Sequence, residues 1–134
     1  MLVKRKVAVK AVVTEEFKQQ LILKLGQALE KVRLAQQQLD FQGTRYLSEM
    51  EGQDPAQAAA FRRRLERQKR KQEEIEARLT EELKKAGQLE LGDEHLQGTL
   101  DGLTEVQVGD RLDEKLQAAE IVVRDGLVVE IRHD

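Results

Sequence analysis

Glu51-Gly52-Gln53-Asp54-Pro55 separates two phase-matched heptad series. Upstream, Ile22, Leu29, Gln36, Gly43 and Met50 occupy position a, and Leu25, Val32, Leu39 and Tyr46 occupy d. Downstream, Leu65, Gln72, Leu79 and Ala86 are a, and Phe61, Gln68, Ile75 and Glu82 are d. Alternating steps of three and four put each set on one stripe of a helix, the seam of a coiled coil. The break has the chemistry of a turn. Gly52 suits a left-handed residue just past a helix end. Asp54 can cap the next helix, Pro55 suits its first position, and Gln57 sits where a capping box needs it. So short a loop makes the two helices antiparallel neighbours.

Folding about Gly52 predicts a register. Leu39 meets Leu65, Leu29 meets Ile75, Leu25 meets Leu79, Gln36 meets Gln68, and Gly43 meets Phe61. At the flanking e positions Asp40 meets Lys69 and Arg33 meets Glu76, opposite in sign. The facing amides would set register at some cost in stability. Helices of about thirty residues make a rod on the order of 45 Å long.

The chain has 134 residues, of which 36% are charged and 3% aromatic. That balance suits long solvated helices beside a small core. The net charge of −2 implies no global attraction to nucleic acid or an anionic membrane. The absence of cysteine excludes disulfides, thiolate metal sites and a cysteine nucleophile. No apolar run approaches the roughly eighteen residues of a membrane span, and the first residues lack the apolar region of a signal peptide. A cytoplasmic protein is the expectation.

The ends predict a second part. Val3, Arg5, Val7, Val9, Ala11 and Val13 alternate with Lys4, Lys6, Ala8 and Lys10, the period of a half-buried strand. Thr14 stands as the cap of the first helix. After the hairpin, Glu94–Leu100 and Thr104–Val108 read as two strands, and Asp110 as the cap of a short helix with Leu112, Leu116 and Ala119 inward. Asp125-Gly126 between Ile121–Arg124 and Leu127–Ile131 signals a two-residue type I′ hairpin, pairing Val123 with Val128 and Val122 with Val129. The predicted fold is α+β: a long antiparallel coiled-coil hairpin over 15–86, with its turn at 51–55, inserted in a small β domain. That domain is a sheet or barrel-like structure built from the N-terminal strand (1–14) and the C-terminal strands (87–134). The N-terminal strand has an alternative, pairing with a second chain.

Val7-Ala8-Val9-Lys10-Ala11-Val12-Val13-Thr14-Glu15, a long charged helical middle, Val106-Gln107-Val108-Gly109-Asp110-Arg111-Leu112 and Ile121 through Arg132 together resemble the YlqD family. The resemblance spans nearly the whole chain and is most specific in its last third. It implies a small bacterial cytoplasmic protein of uncharacterised function, with genes that often neighbour ribosome-maturation genes. It supplies no catalytic motif.

One site stands out. Arg62, Arg63, Arg64, Arg67, Lys69, Arg70 and Lys71 form a basic block near the hairpin turn, suited to RNA phosphates or contact with a partner. The competing reading is a solvated coiled-coil flank, since Glu73, Glu74 and Glu76 follow and no aromatic interleaves to stack bases. Glu49, Glu51 and Asp54 at the turn could hold magnesium, but capping and the helix dipole explain an acid there as well. His95 and His133 share no ligand spacing with other groups. No cofactor, metal site or catalytic set is expected. The functional expectation is a non-enzymatic interaction or adaptor protein with a protein or ribonucleoprotein partner, ribosome- or RNA-associated. The alternative is a self-assembling, chaperone-like scaffold, with homo-oligomers; an enzyme ranks third.

Overall fold

The computed structural model describes residues 1–133. Their order is β1 (Leu2–Val12), α1 (Glu15–Glu51), α2 (Pro55–Gly87), β2 (Glu94–Glu105), α3 (Leu112–Leu116), β3 (Ala119–Arg124) and β4 (Leu127–Arg132). The class is α+β: a hairpin of two long helices and a small mixed sheet drawn from both ends of the chain. Met1–Gln20 and the chain from Leu89 onward form one compact unit, and Leu21–Gln88 forms the other.

In the helical unit the turn works as its residues dictate, with one exception. Asp54 is extended (φ −145°), and its carboxylate accepts from the Gln57 N–H, capping α2 ahead of Pro55. The return half of the capping box does not form, because the Asp54 N–H donates to the Met50 carbonyl instead. The Gln53 N–H donates to the same carbonyl and closes the last turn of α1. Gly52 is therefore not left-handed, contrary to the sequence expectation.

The seam sets a against a and d against d. A Cβ built on Gly43 would lie 2.6 Å from a methyl of Leu65, and the Tyr46 and Phe61 rings meet edge-on at 4.7 Å. The expected contacts of Gly43 with Phe61 and Leu39 with Leu65 are thus replaced by a register displaced by one helical turn. Extended by heptads, the Gly43–Leu65 layer sets Met50 against Ala58, Leu29 against Leu79, and Ile22 against Ala86. Gln36 and Gln72, in the same series, line one hollow of about 180 Å³, where Gln72 Oε1 finds no protein donor. The physical reason for the displacement is size. Three of these layers pair a large side chain with glycine or alanine, and the buried residues of the hairpin are Leu29, Gly43, Ala58, Leu65, Leu79 and Ala86. Heptad spacing fixes each stripe but not the offset between them. The two e-position pairs do form, Asp40 with Lys69 at 2.8 Å and Arg33 with Glu76 at 3.4 Å.

In the other unit the strand order is β2-β1-β3-β4. β1 runs antiparallel to β2 and parallel to β3, and β4 returns antiparallel beside β3. The N-terminal strand is central and finds its partners within its own chain. Two strands expected after the hairpin are one, β2, continuous through Gly98 and Gly102. Gly102 is needed there, since a Cβ would come within 2.8 Å of a Val7 methyl. Asp125 and Gly126 turn with φ of +48° and +84°, as the type I′ hairpin requires. Val123 pairs with Val128, but a bulge follows and Val122 pairs with Glu130 rather than Val129. Asp110 does not cap α3; its carboxylate accepts from the Gln107 N–H, and Leu112 and Leu116 stay exposed while Ala119 opens β3. Thr14 caps α1 by accepting from the Phe17 N–H.

Pairing separates the two faces of this sheet, because paired residues share a face and successive ones alternate. One face carries the rows Leu100–Val7–Ala119, Val9–Ile121–Ile131 and Ala11–Val123–Val128. The other carries the charges. Lys6 meets Asp101 at 2.8 Å and Lys10 meets Glu120 at 2.9 Å. Arg132 reaches Glu94 at 2.5 Å, Glu130 at 3.0 Å and Glu120 at 3.2 Å. The Arg132 hydrogen bond holds the Glu94 carboxyl below the ordinary glutamate range, and Lys10, then Arg132, do the same for Glu120.

Two outcomes follow. Gly43→Leu, read by thermal unfolding, destabilises the chain by about 1–3 kcal/mol through overpacking, although leaving glycine gains about 1 kcal/mol of helix propensity. Adding Leu65→Ala recovers part of the loss. Depressed carboxyl pKa values in the folded state mean that the Arg132 network stabilises above the ordinary glutamate value of 4.5 and is lost as pH falls below it. Melting temperature therefore drops on acidification, and Arg132→Gln makes that drop shallower.

Candidate nucleic-acid interface

The seven bases of the block all lie on α2, and the heptad phase divides them. Arg62 and Lys69 occupy e, the flank that faces α1. Arg62 pairs with Glu51 and Lys69 with Asp40, and one heptad on Glu76 takes Arg33. These two bases pair with acids across the hairpin. Arg64 and Lys71 occupy g, Arg67 occupies c, and Arg63 and Arg70 occupy f. All five are exposed, and among the described residues none makes an ion pair.

The opposite flank explains why. The g positions of α1 are Leu21, Ala28, Ala35, Gln42 and Glu49. Only Glu49 is acidic, and it lies 3.7 Å from Arg45 on its own helix. The g-position bases of α2 have no acid to meet across the seam. Arg64, Arg67, Gln68 and Lys71 line a hollow of about 290 Å³. From Arg63 to Lys71 is about 12 Å of helix axis, and residues three and four apart sit about 5–6 Å from one another. Glu66 is the one acid in that span. Such a stripe offers several guanidinium and ammonium groups to consecutive phosphates, with Arg able to bind two oxygens at once. The same g line continues, beyond the block singled out from the sequence, to Lys85 and to Arg78, which lies 3.9 Å from Glu82 on its own helix. The heptad letter was the available signal for them.

Other sites from the sequence fall apart in the structure. Glu51 goes to Arg62 and Asp54 to the α2 cap. Among the described residues no three His, Cys, Asp or Glu side chains gather as a metal site. The His95 ring packs 5.7 Å from that of Phe17. His133 is exposed just past β4. No helix among the described residues is long and apolar enough to cross a membrane.

Comparison with known proteins agrees with this architecture. The family model described as YlqD protein matches residues 1–132. "Uncharacterized protein YlqD" of Bacillus subtilis (strain 168) is 30% identical over 132 residues, covering 98% of each chain. A crystal structure of a protein of unknown function from Synechococcus sp. WH 8102 superposes with a TM-score of 0.88 at 26% identity, covering 99% of this chain and 95% of that one. The chain belongs to the YlqD family.

The division of the block has a measurable consequence. Arg62→Ala and Lys69→Ala each lower hairpin stability, by the roughly 0.2–1 kcal/mol that exposed ion pairs contribute. Arg64→Ala and Lys71→Ala leave the denaturation midpoint where it was.

Proposed function

We propose that this YlqD-family chain is a non-enzymatic, cytoplasmic interaction module whose α2 stripe binds the phosphate backbone of RNA in a ribonucleoprotein such as the ribosome. One observation carries the reading. Arg63, Arg64, Arg67, Arg70 and Lys71 are exposed and unpaired among the described residues, while neighbouring Arg62 and Lys69 pair with acids across the hairpin. A solvated flank whose only task was to hold two helices together would pair its g-position bases as well as its e-position ones. Local charge density, rather than the net charge of −2, decides what a contact patch attracts. Phe61, the aromatic nearest the block, is engaged with Tyr46 in the seam, so the stripe reads backbone rather than base identity.

A second reading, self-assembly through the hairpin into a coiled-coil scaffold, is favoured by Leu23, Leu34 and Phe41. These side chains lie along one line of α1 and are 54%, 55% and 70% exposed.

Fluorescence anisotropy with labelled ribosomal RNA fragments tests the first reading. Five phosphate contacts to single-stranded RNA predict an affinity that falls about a hundredfold between roughly 50 and 200 mM salt. Arg64→Glu with Arg67→Glu and Lys71→Glu abolishes the signal and leaves the helical circular dichroism unchanged. Absence of binding at low salt, or binding indifferent to salt, would contradict it.

A further inference from the structure

We propose that the apolar face of the sheet docks a second copy of this chain, face to face and with the strands of the two copies antiparallel. The register puts Val7, Val9, Leu100, Ala119, Ile121, Val123, Val128 and Ile131 on this one face. Leu100, Val128 and Ile131 remain 56%, 58% and 61% exposed. The opposite face keeps the charge network of Lys10, Glu94, Glu120, Glu130 and Arg132. That opposite face also buries Val12 and Val122 and exposes Leu2, Leu96, Leu103 and Leu127, but it carries the sheet's charges, whereas the first face carries one, Arg5.

The charges at the rim select the occupant and its orientation. Arg5 pairs with Gly102 and so stands on the apolar face, near the start of β1. At the other end of that face Glu16 and Asp125 border a hollow with Ala11, Phe17 and Val123. A two-fold axis in the plane of the sheet and across the strands brings Arg5 of each copy toward Glu16 and Asp125 of the other. An axis along the strands would set Arg5 against Arg5. One end basic and the other acidic is the self-complementary pattern of an isologous dimer. The uncovered side chains amount to on the order of 500 Å² of apolar surface, the size of the largest patch on a typical monomer. With its polar rim the face approaches the roughly 800 Å² per partner of a standard interface. The residues involved are separate from the basic stripe, so this inference stands or falls independently of RNA binding.

Sedimentation velocity of the full chain at high micromolar concentration tests it. The intact chain sediments as a dimer. Ile131→Lys and Val128→Lys, at exposed positions that the fold does not need, give monomers with unchanged circular dichroism. Arg5→Glu weakens the dimer by roughly five- to tenfold, and Glu16→Arg added to it restores much of the loss, a rescue that general destabilisation would not produce. A monomer at all concentrations overturns the proposal. So does a dimer that survives Ile131→Lys but dissociates with Phe41→Glu, which would put the contact on α1.

Discussion

Leu65 seats its methyl groups against the bare backbone at Gly43, and that contact sets the offset between the two helices. Every other pairing in the hairpin follows from it. Glycine lets the helices approach, and the layers one heptad either side fall on Met50 with Ala58 and Gln36 with Gln72. The same offset brings the e positions into line, so Arg62, Lys69 and Glu76 each find an opposite charge on α1. It also leaves the g positions facing alanine, leucine and glutamine. The bases that have no structural task are therefore a consequence of the same packing that gives their neighbours one.

The sheet depends on β1 in a comparable way. That strand pairs along its whole length with β2 and through Val7–Ala11 with β3, so it binds the two ends of the chain together. Where the chain leaves and re-enters, the Val13 N–H donates to the Asp93 carbonyl at 2.7 Å and the Gly92 N–H to the Val13 carbonyl at 2.8 Å. An insertion of more than seventy residues is closed at its base by two backbone hydrogen bonds and the strands beyond them. Closing so long a loop is entropically unfavourable, but the penalty grows only slowly with length. The hairpin, once folded back, returns its ends without further constraint.

Much of this was legible in the residues. The heptads, the Asp54-Pro55 helix start, the Thr14 cap, the alternating β1 and the Asp125-Gly126 turn are local signals, and each produced the element expected. The α+β class and the central hairpin followed from them. What failed was non-local or depended on competition between neighbours. The helix offset rests on Gly43 and the alanines fitting opposite large partners, which spacing alone does not reveal. The expected gap between Leu100 and Thr104 is absent, because tertiary pairing with β1 carries β2 through it. Asp110 chose a turn amide over a helix cap. The basic block was visible as composition; its division into paired and free members needed the register, although the heptad letters were already present in the sequence.

Because the chain contains no cysteine, introduced pairs report on register without interference. Gly43→Cys with Leu65→Cys, oxidised in dilute solution, is the most direct test of the packing from which the free basic flank follows. An intramolecular disulfide should form readily, since a Cβ built at Gly43 lies 3.4 Å from Leu65 Cγ, the position a sulfur would take in Leu65→Cys. Failure of that pair, with ready closure of Gly43→Cys and Phe61→Cys instead, would contradict the account.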